Sequence, residues 1–334
     1  MTIQAAAPPT GKPPDATRTP RLAAWRAELG IGGGLVLLAV LWTVFAPNFA
    51  SATNLSILLQ QTSVLMIVAV GQTFVILTGE IDLSVGSTIG LTTVVLALLT
   101  VEAHVPLPVA IVTVFAMGAL IGLFTGALRV VWNIPSFIIT LGLLTALQGL
   151  AFTLSGGVTI SPLPDALSPL WDGRLLGIPA PVWLTLVVVV AGMWVLRQTR
   201  YGRHLYAIGG NTEAARRYGL KVNALRVSTF VVVQCLAVLG GILYAAQLNS
   251  GNATVGDQLE LDVIAGVVVG GVALFGGRGR LIGTIIGVLF IETLANGLTL
   301  LGVSSYLYLI AQGLVVIAAV VFAAVQQRRK GDTR

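Results

Sequence analysis

Residues 106–131 read PLPVAIVTVFAMGALIGLFTGALRVV, with a single ionisable side chain, Arg129, close to the end. As a helix rising about 1.5 Å per residue, this stretch outreaches the roughly 30 Å of hydrocarbon in a bilayer. Its apolar residues are continuous rather than alternating, so it is a spanning helix and not a barrel strand. Working outward, comparable runs recur at about 29–46, 55–78, 85–101, 134–155, 181–197, 227–246, 258–275, 281–299 and 302–325. The cut within 55–101 is set by Gly79–Ser84, and 258–275 opens with Glu260 and Asp262. The 334 residues are 56% hydrophobic and 10% charged, with mean hydropathy +0.93. Soluble chains carry about 25% charge, and disordered ones are more polar still, so both classes are excluded. One cysteine, Cys235, excludes a disulfide framework, and two histidines leave little for a histidine metal site. The 39 glycines follow no Gly-X-Y period and suit close helix packing in lipid. The fold class expected is an all-α polytopic membrane protein with about ten transmembrane helices.

Ten spans place both termini on one side. That side then holds 18 of the 19 Lys and Arg, seven of them in 197–226, and the other side holds only Arg174. By the positive-inside rule the termini are cytoplasmic. All six tryptophans fall at or beyond span ends, as an interfacial belt requires. The net charge of +6 therefore expresses topology, and no nucleic-acid partner is expected. Residues 1–28, with five prolines, are expected to form a cytosolic tail, 29–325 the transmembrane domain, and 326–334 a second tail.

The chain has no G-x-x-x-x-G-K-[ST] phosphate loop; Gly276-Gly277-Arg278-Gly279-Arg280 has the glycines without the Lys. No intramembrane Arg ladder is present, and Glu292 is the one acid well inside a span. The expected protein is a path through the membrane whose energy comes from elsewhere, non-catalytic itself.

The segment 198–226 is the only long loop on the basic side. Within it Gly209-Gly210 predicts a turn, and Asn211 or Thr212 an N-cap. Glu213-Ala214-Ala215-Arg216-Arg217-Tyr218 then predicts a short helix stopped by Gly219. Glu213 suits the positive end of that helix, and Arg216 and Arg217 its negative end. A short firm helix across a cytoplasmic face is something a motor protein can push on. A solvated basic loop that only sets topology is the alternative.

Glu-Ala-Ala followed by Gly in this position resembles the coupling loop of ABC importer permeases. Gln60-Gln61-Thr62-Ser63 and the run Gly71-Gln72-Thr73-Phe74-Val75-Ile76-Leu77-Thr78-Gly79-Glu80-Ile81-Asp82-Leu83-Ser84-Val85-Gly86-Ser87 resemble the monosaccharide permeases, of which those for ribose and xylose are typical. So do Leu261-Asp262-Val263-Ile264-Ala265, Gly270-Gly271, and Asn296-Gly297 with Leu301-Gly302-Val303-Ser304-Ser305-Tyr306. The likeness covers about 45–325. It implies a fold similar to the ten-helix, cobalamin-type importers, in a bacterial plasma (inner) membrane. It also implies a second permease copy (identical or paralogous), ABC ATPase subunits that carry the ATP and magnesium, and a periplasmic or lipoprotein sugar-binding protein. No cofactor on the chain itself is implied. The cargo implied is a monosaccharide, with a pentose such as ribose or xylose first and an autoinducer sugar, nucleoside or polyol next.

Two carboxylates, Glu80 and Asp82, would cost about 5–7 kcal/mol at mid-bilayer. They therefore lie in a break between helices or line a polar cavity. Asp82 as a cap for the next helix is one reading; a rigid element near the cytoplasmic gate, with Ser84 and Gly86, is the other. Gln61, Gln72, Thr140, Gln148, Gln234, Asn296 and Gln312 are pathway candidates or plain interhelical hydrogen-bonders. Glu292, with Asn296 and Thr299 on its face, departs from the family, which has small or apolar residues there. It is either a bonded, protonated acid or a group facing the channel. A proton-coupled secondary carrier using Glu292 is the alternative function, and a structural or lipid-handling protein a third. Glu102, Asp165, Asp172, Asp257, Glu260 and Asp262 are expected on the outer surface.

Overall fold

The computed structural model describes residues 26–321 apart from 305, 316, 319 and 320. Residues 1–25 of the expected N-terminal tail, the expected C-terminal tail and most of the far half of the 302–325 run lie outside the described residues, and 26–28 open the first helix. Among the described residues, eight helices are long and apolar enough to cross a membrane. Six of them are α1 (Arg26–Phe45), α2 (Ala52–Leu77), α4 (Leu107–Val131), α5 (Ser136–Ser155), α7 (Ala180–Gln198) and α10 (Val222–Leu248). The seventh is α3 (Val85–Ala97), lengthened by a π-helical turn, Leu98–Glu102, and the eighth is α12 (Leu281–Leu300). Between α5 and α7 lie a single helical turn, α6 (Pro169–Asp172), and a two-residue ladder pairing Arg174–Leu175 with Ile178–Pro179. Helices α8 (Arg200–Gly210) and α9 (Thr212–Arg217) sit together at what we call the basic end. Two short helices complete the set: α11 (Leu259–Val269) and α13 (Tyr306–Val315).

The centre of the bundle is α2 and α10. Between Thr62 and Leu77 every residue of α2 is buried, which is why its apolar residues run all round the helix instead of down one stripe. Around this pair, α10 packs against α4, α2 and α3, α5 lies on α3, α7 on α2, and α1 on α12, which in turn packs on α11. The α4–α10 seam shows the use made of glycine. Gly118, Gly122 and Gly126 recur every fourth residue along one face of α4, and a β-carbon at Gly122 would come within 2.6 Å of the Val231 Cα. We therefore expect Gly122→Leu to destabilise the protein by more than the about 1–3 kcal/mol of ordinary overpacking, since the obstacle is backbone. Gly142→Leu on α5, where nothing lies within 4 Å, is the neutral control. Unfolding midpoints in detergent micelles test this, and equal midpoints for the two variants would refute the seam.

Two crossings are discontinuous, and this refines the ten-span expectation. The run 258–275 is not one helix: α11 stops at Val269 and the chain turns at Gly270–Gly271, with φ +83° at Gly271. Eleven residues span only about 16 Å, half of the hydrocarbon. The other half is covered by the irregular segment 249–258, which doubles back along α3. Thr93 Oγ1 donates to Asn252 O at 2.9 Å, and a β-carbon at Gly90 or Gly86 would strike the carbonyls of Ala253 and Val255 or of Gly256. Likewise 78–84 is non-helical and leads into α3. Its start is fixed at the basic end, where Gly277 N donates to Leu77 O at 2.9 Å. Irregular backbone at this depth is tolerated only when buried in protein or lining a watery cavity. Here the two irregular segments lead into the facing starts of α3 and α11.

The loop 198–226 holds two helices where one was expected. Gly209-Gly210 is the last turn of α8 instead of a loose turn, because Gly209 is pressed between the backbones of Leu77 and Gly277, where no side chain fits.

Candidate functional site

Helix α9 is built by local chemistry. Of the two expected caps it is Asn211 that serves: its Oδ1 accepts from Ala214 N at 2.9 Å. Gly219, at φ +80°, ends the helix, and the exposed Arg217 pairs with Glu213 at 3.3 Å, one turn apart. Arg216 Nη2 donates to Asn223 Oδ1 at 3.0 Å. Beneath, Ala215 is buried with Ile208 and Val222 in a small apolar core of its own. The helix thus presents charge outward and is bolted to α8 and the start of α10. On α8, Tyr206 donates to Gly279 O at 3.0 Å; burial pushes its phenol pKa up, with Arg280 and Arg197 pulling it back.

From α9 a line of polar contacts runs into the bundle. Arg226 Nη2 donates to Thr212 Oγ1 at 3.1 Å, and its Nε lies 3.0 Å from Glu80 Oε1. On the other side Arg129 Nε donates to Glu80 Oε2 at 2.9 Å, and Arg129 Nη1 to Asn133 Oδ1 at 2.7 Å. Glu80 is only 3% exposed, so one buried carboxylate holds two guanidinium groups from α4 and α10. Sequence reading treats Arg129 and Arg226 as topology signals alone; their partner is distant in the chain, so no local pattern points to it.

Two residues on, Asp82 is wholly buried with no cation beside it. Its Oδ1 accepts from Ser84 N at 2.8 Å and Ser84 Oγ at 2.7 Å, and its Oδ2 from Gln234 Nε2 at 2.9 Å. Gln234 Nε2 also donates to Ser84 Oγ, and Gln234 Oε1 accepts from Thr88 Oγ1 at 2.6 Å. Asp82 also sits at the positive end of α3. Hydrogen bonds and helix dipole together replace the water this carboxylate has lost. Gln234 is the thirteenth residue of α10, about 18 Å along it, so Asp82 is well inside the bundle.

Beyond Ser84 a cavity of about 230 Å³ is lined by Ser87 of α3, Leu144 and Gln148 of α5, and Asp257, Gln258 and Glu260. Gln148 Nε2 donates to Asp257 Oδ1 at 2.8 Å. Gly86 faces Glu260 so closely that a β-carbon would collide with its carboxylate. Glu260, expected on the outer surface, is instead buried against Gly86, while Asp257 is exposed beside Gln148. Asp262 is likewise drawn in; its Oδ1 accepts from Tyr308 at 3.0 Å and from the Gln312 amide. Glu292 of α12 lies within electrostatic reach of Asp262 and Tyr244.

The other expected pathway residues scatter. Gln61 is exposed near the far end of α2. Gln72 is wholly buried with neither amide atom hydrogen-bonded. Asn296 exchanges two amide bonds, 2.9 and 3.0 Å, with Asn54 of α2. Thr140 lies against Ile81 O at 3.4 Å.

A protein family described as "Branched-chain amino acid transport system / permease component" matches residues 54–320. The chain is 43% identical over 293 residues to the ribose import permease protein RbsC of Escherichia coli K12, covering 86% of this chain and 90% of that one. It is 40% identical over 296 residues to the ribose import permease protein of Bacillus subtilis 168, covering 88% and 91%. An autoinducer 2 import system permease protein, LsrC of Shigella flexneri, is 37% identical over 288 residues, covering 86% and 84%. No solved structure matches the chain.

Proposed function

The chain belongs to the branched-chain amino acid transport system / permease component family, and from that premise we propose that it is the membrane-spanning subunit of an ABC importer for a ribose-type monosaccharide. A substrate-binding protein delivers the sugar on the far side, and ABC ATPase subunits, which alone carry ATP and magnesium, drive it from the basic side. The basic end is cytoplasmic, as are both termini, in the inner membrane of a bacterium. A second permease copy, identical or paralogous, completes the path. Autoinducer sugars, nucleosides and polyols are the neighbouring cargo classes.

The observation that carries this reading is the buried line of contacts from α9 to the break before α3. Residues Glu213–Arg217 and Gly219 form the surface on which the ATPase acts. Force on that surface moves Thr212, and Arg226 passes the motion to Glu80. Glu80 sits two residues from Asp82, whose bonds to Ser84 and Gln234 fix the start of α3 next to Gly86. The break is thus the gate element, and α9 its handle. Gln72, Gln148, Glu292 and Asn296 inside the bundle, and the exposed Gln61, remain pathway candidates.

The test is uptake of radiolabelled ribose into proteoliposomes holding this chain with its ATPase and binding protein. We expect uptake that requires ATP and the binding protein and survives collapse of the proton gradient. Uptake without the ATPase that vanishes with the gradient would overturn the reading in favour of a carrier working through Glu292.

A further inference from the structure

The geometry points to the cavity between α3, α5 and the start of α11 as a hydroxyl-binding station for a neutral sugar on the translocation path. This rests on the reading of the chain as a sugar permease. Four observations carry it. The first is depth. Gln148 is the thirteenth residue of the twenty in α5, so it stands about 18 Å from one end of that helix and about 10 Å from the other. The second is polarity: at that depth the cavity gathers Ser87, Gln148, Asp257, Gln258 and Glu260. Such a mouth cannot open on lipid, where a carboxylate costs about 2.5–3.5 kcal/mol, so it opens on water.

The third is a buried acceptor at the edge of the space, bonded to its own backbone N–H. Glu260 is 8% exposed and lines the cavity, and among the described residues no other residue hydrogen-bonds to its carboxylate. Gly86 opposite it brings backbone, and no side chain, against that carboxylate. The fourth is the chemistry of the lining. Two carboxylates accept, two amides both donate and accept, Ser87 Oγ accepts while its own proton goes to Ser84 O, and no Arg or Lys is among the described residues lining the space. That set suits vicinal hydroxyl groups and repels anions. About 230 Å³ lies below the roughly 300–1,000 Å³ of sites for drug-sized ligands and suits one small polyhydroxylated ring.

Two measurements test this on the assembled importer. In proteoliposomes, Glu260→Gln and Gln148→Leu should each lower ribose uptake about tenfold, as loss of one charged or amide hydrogen bond at a transport-limiting site does. They should also move the ratio of ribose to 2-deoxyribose uptake away from the wild-type ratio under the same binding protein. A merely structural role would lower both sugars equally. Separately, with Cys235→Ala as background, a Ser87→Cys thiol should react with a hydrophilic methanethiosulfonate, and ribose supplied through the importer should slow that reaction. Wild-type uptake ratios in both variants, an unreactive Ser87→Cys thiol, or a reaction slowed by sodium or magnesium but not by ribose would each overturn the station. If the wild-type importer moves no ribose at all, it is the functional reading that falls.

Discussion

Glu80→Gln should unfold far more readily than the wild type, and part of the loss should be recovered when Arg226 is neutralised with it. In the native protein one carboxylate faces two guanidinium groups, at 2.9 and 3.0 Å, and the three side chains are between 3% and 16% exposed. Removing the shared acid leaves two buried cations to repel each other. Breaking a buried pair in this way costs about 3–5 kcal/mol, whereas removing both partners costs far less. The expected result is a drop of that size for Glu80→Gln in mixed-micelle unfolding, and a coupling term of about 1–3 kcal/mol in a cycle with Arg226→Gln. The same cycle read as transport tests the relay. The double variant, stable but with α9 disconnected from the break, should hydrolyse ATP while moving little ribose. A double variant that folds and transports at the wild-type rate would show that the line from Thr212 to Glu80 is a brace and nothing more.

What the sequence makes legible here depends on whether the governing interaction is local. Helix α9 is legible because its start and stop are written within nine residues: Asn211 caps, Gly219 takes a positive φ, and the charges match the dipole. The long spans are legible because hydropathy over twenty residues is itself a local sum. The irregular segments before α3 and α11 are not. A hydropathy window cannot distinguish 249–258 looping over the rim from the same residues diving along Gly86 and Gly90, since the difference lies in what packs against them. Depth is therefore what places Asp257 and Glu260 beside Gln148, although each was visible as an acid or an amide. The Gly209–Gly210 pair fails for the same reason in reverse. Its local preference is for a turn, and close approach to Leu77 and Gly277 holds it in a helix instead. The odd acidic connection at 80–82, with no bases of its own, makes sense only once Arg129 and Arg226 are brought to it from two other helices.

Asp82→Leu is expected to be strongly damaging, and Asp82→Asn far milder. The leucine would leave Ser84 N–H and one proton of the Gln234 amide without an acceptor in a site that water does not reach, and would loosen the Ser84 hydroxyl. At about 1–3 kcal/mol for each unsatisfied buried group, the total is about 2–6 kcal/mol. Asparagine is different because the network can reverse its polarity. Its oxygen keeps the two bonds from Ser84, its amide turns to Gln234, and Gln234 rotates to present its oxygen. The freed Gln234 nitrogen then faces Thr88 Oγ1, now 2.6 Å from its oxygen, and a hydroxyl accepts as readily as it donates. The bond from Gln234 Nε2 to Ser84 Oγ is given up and the Thr88 hydroxyl proton turns elsewhere, so the cost is about 1 kcal/mol, without a charge. If the carboxylate's charge were itself required, Asp82→Asn would fail as badly as leucine does. Comparing the two variants in mixed-micelle unfolding and in ribose uptake therefore separates a hydrogen-bonding hub from a charged gate. Adding Gln234→Leu to Asp82→Leu sharpens the comparison. It removes the orphaned donor along with the acceptor, so the double variant should regain part of the lost stability while the start of α3, freed from α10, should gate poorly. Stability of the double variant no better than that of Asp82→Leu alone would place the cost in lost packing around the break instead of in unmet hydrogen bonds.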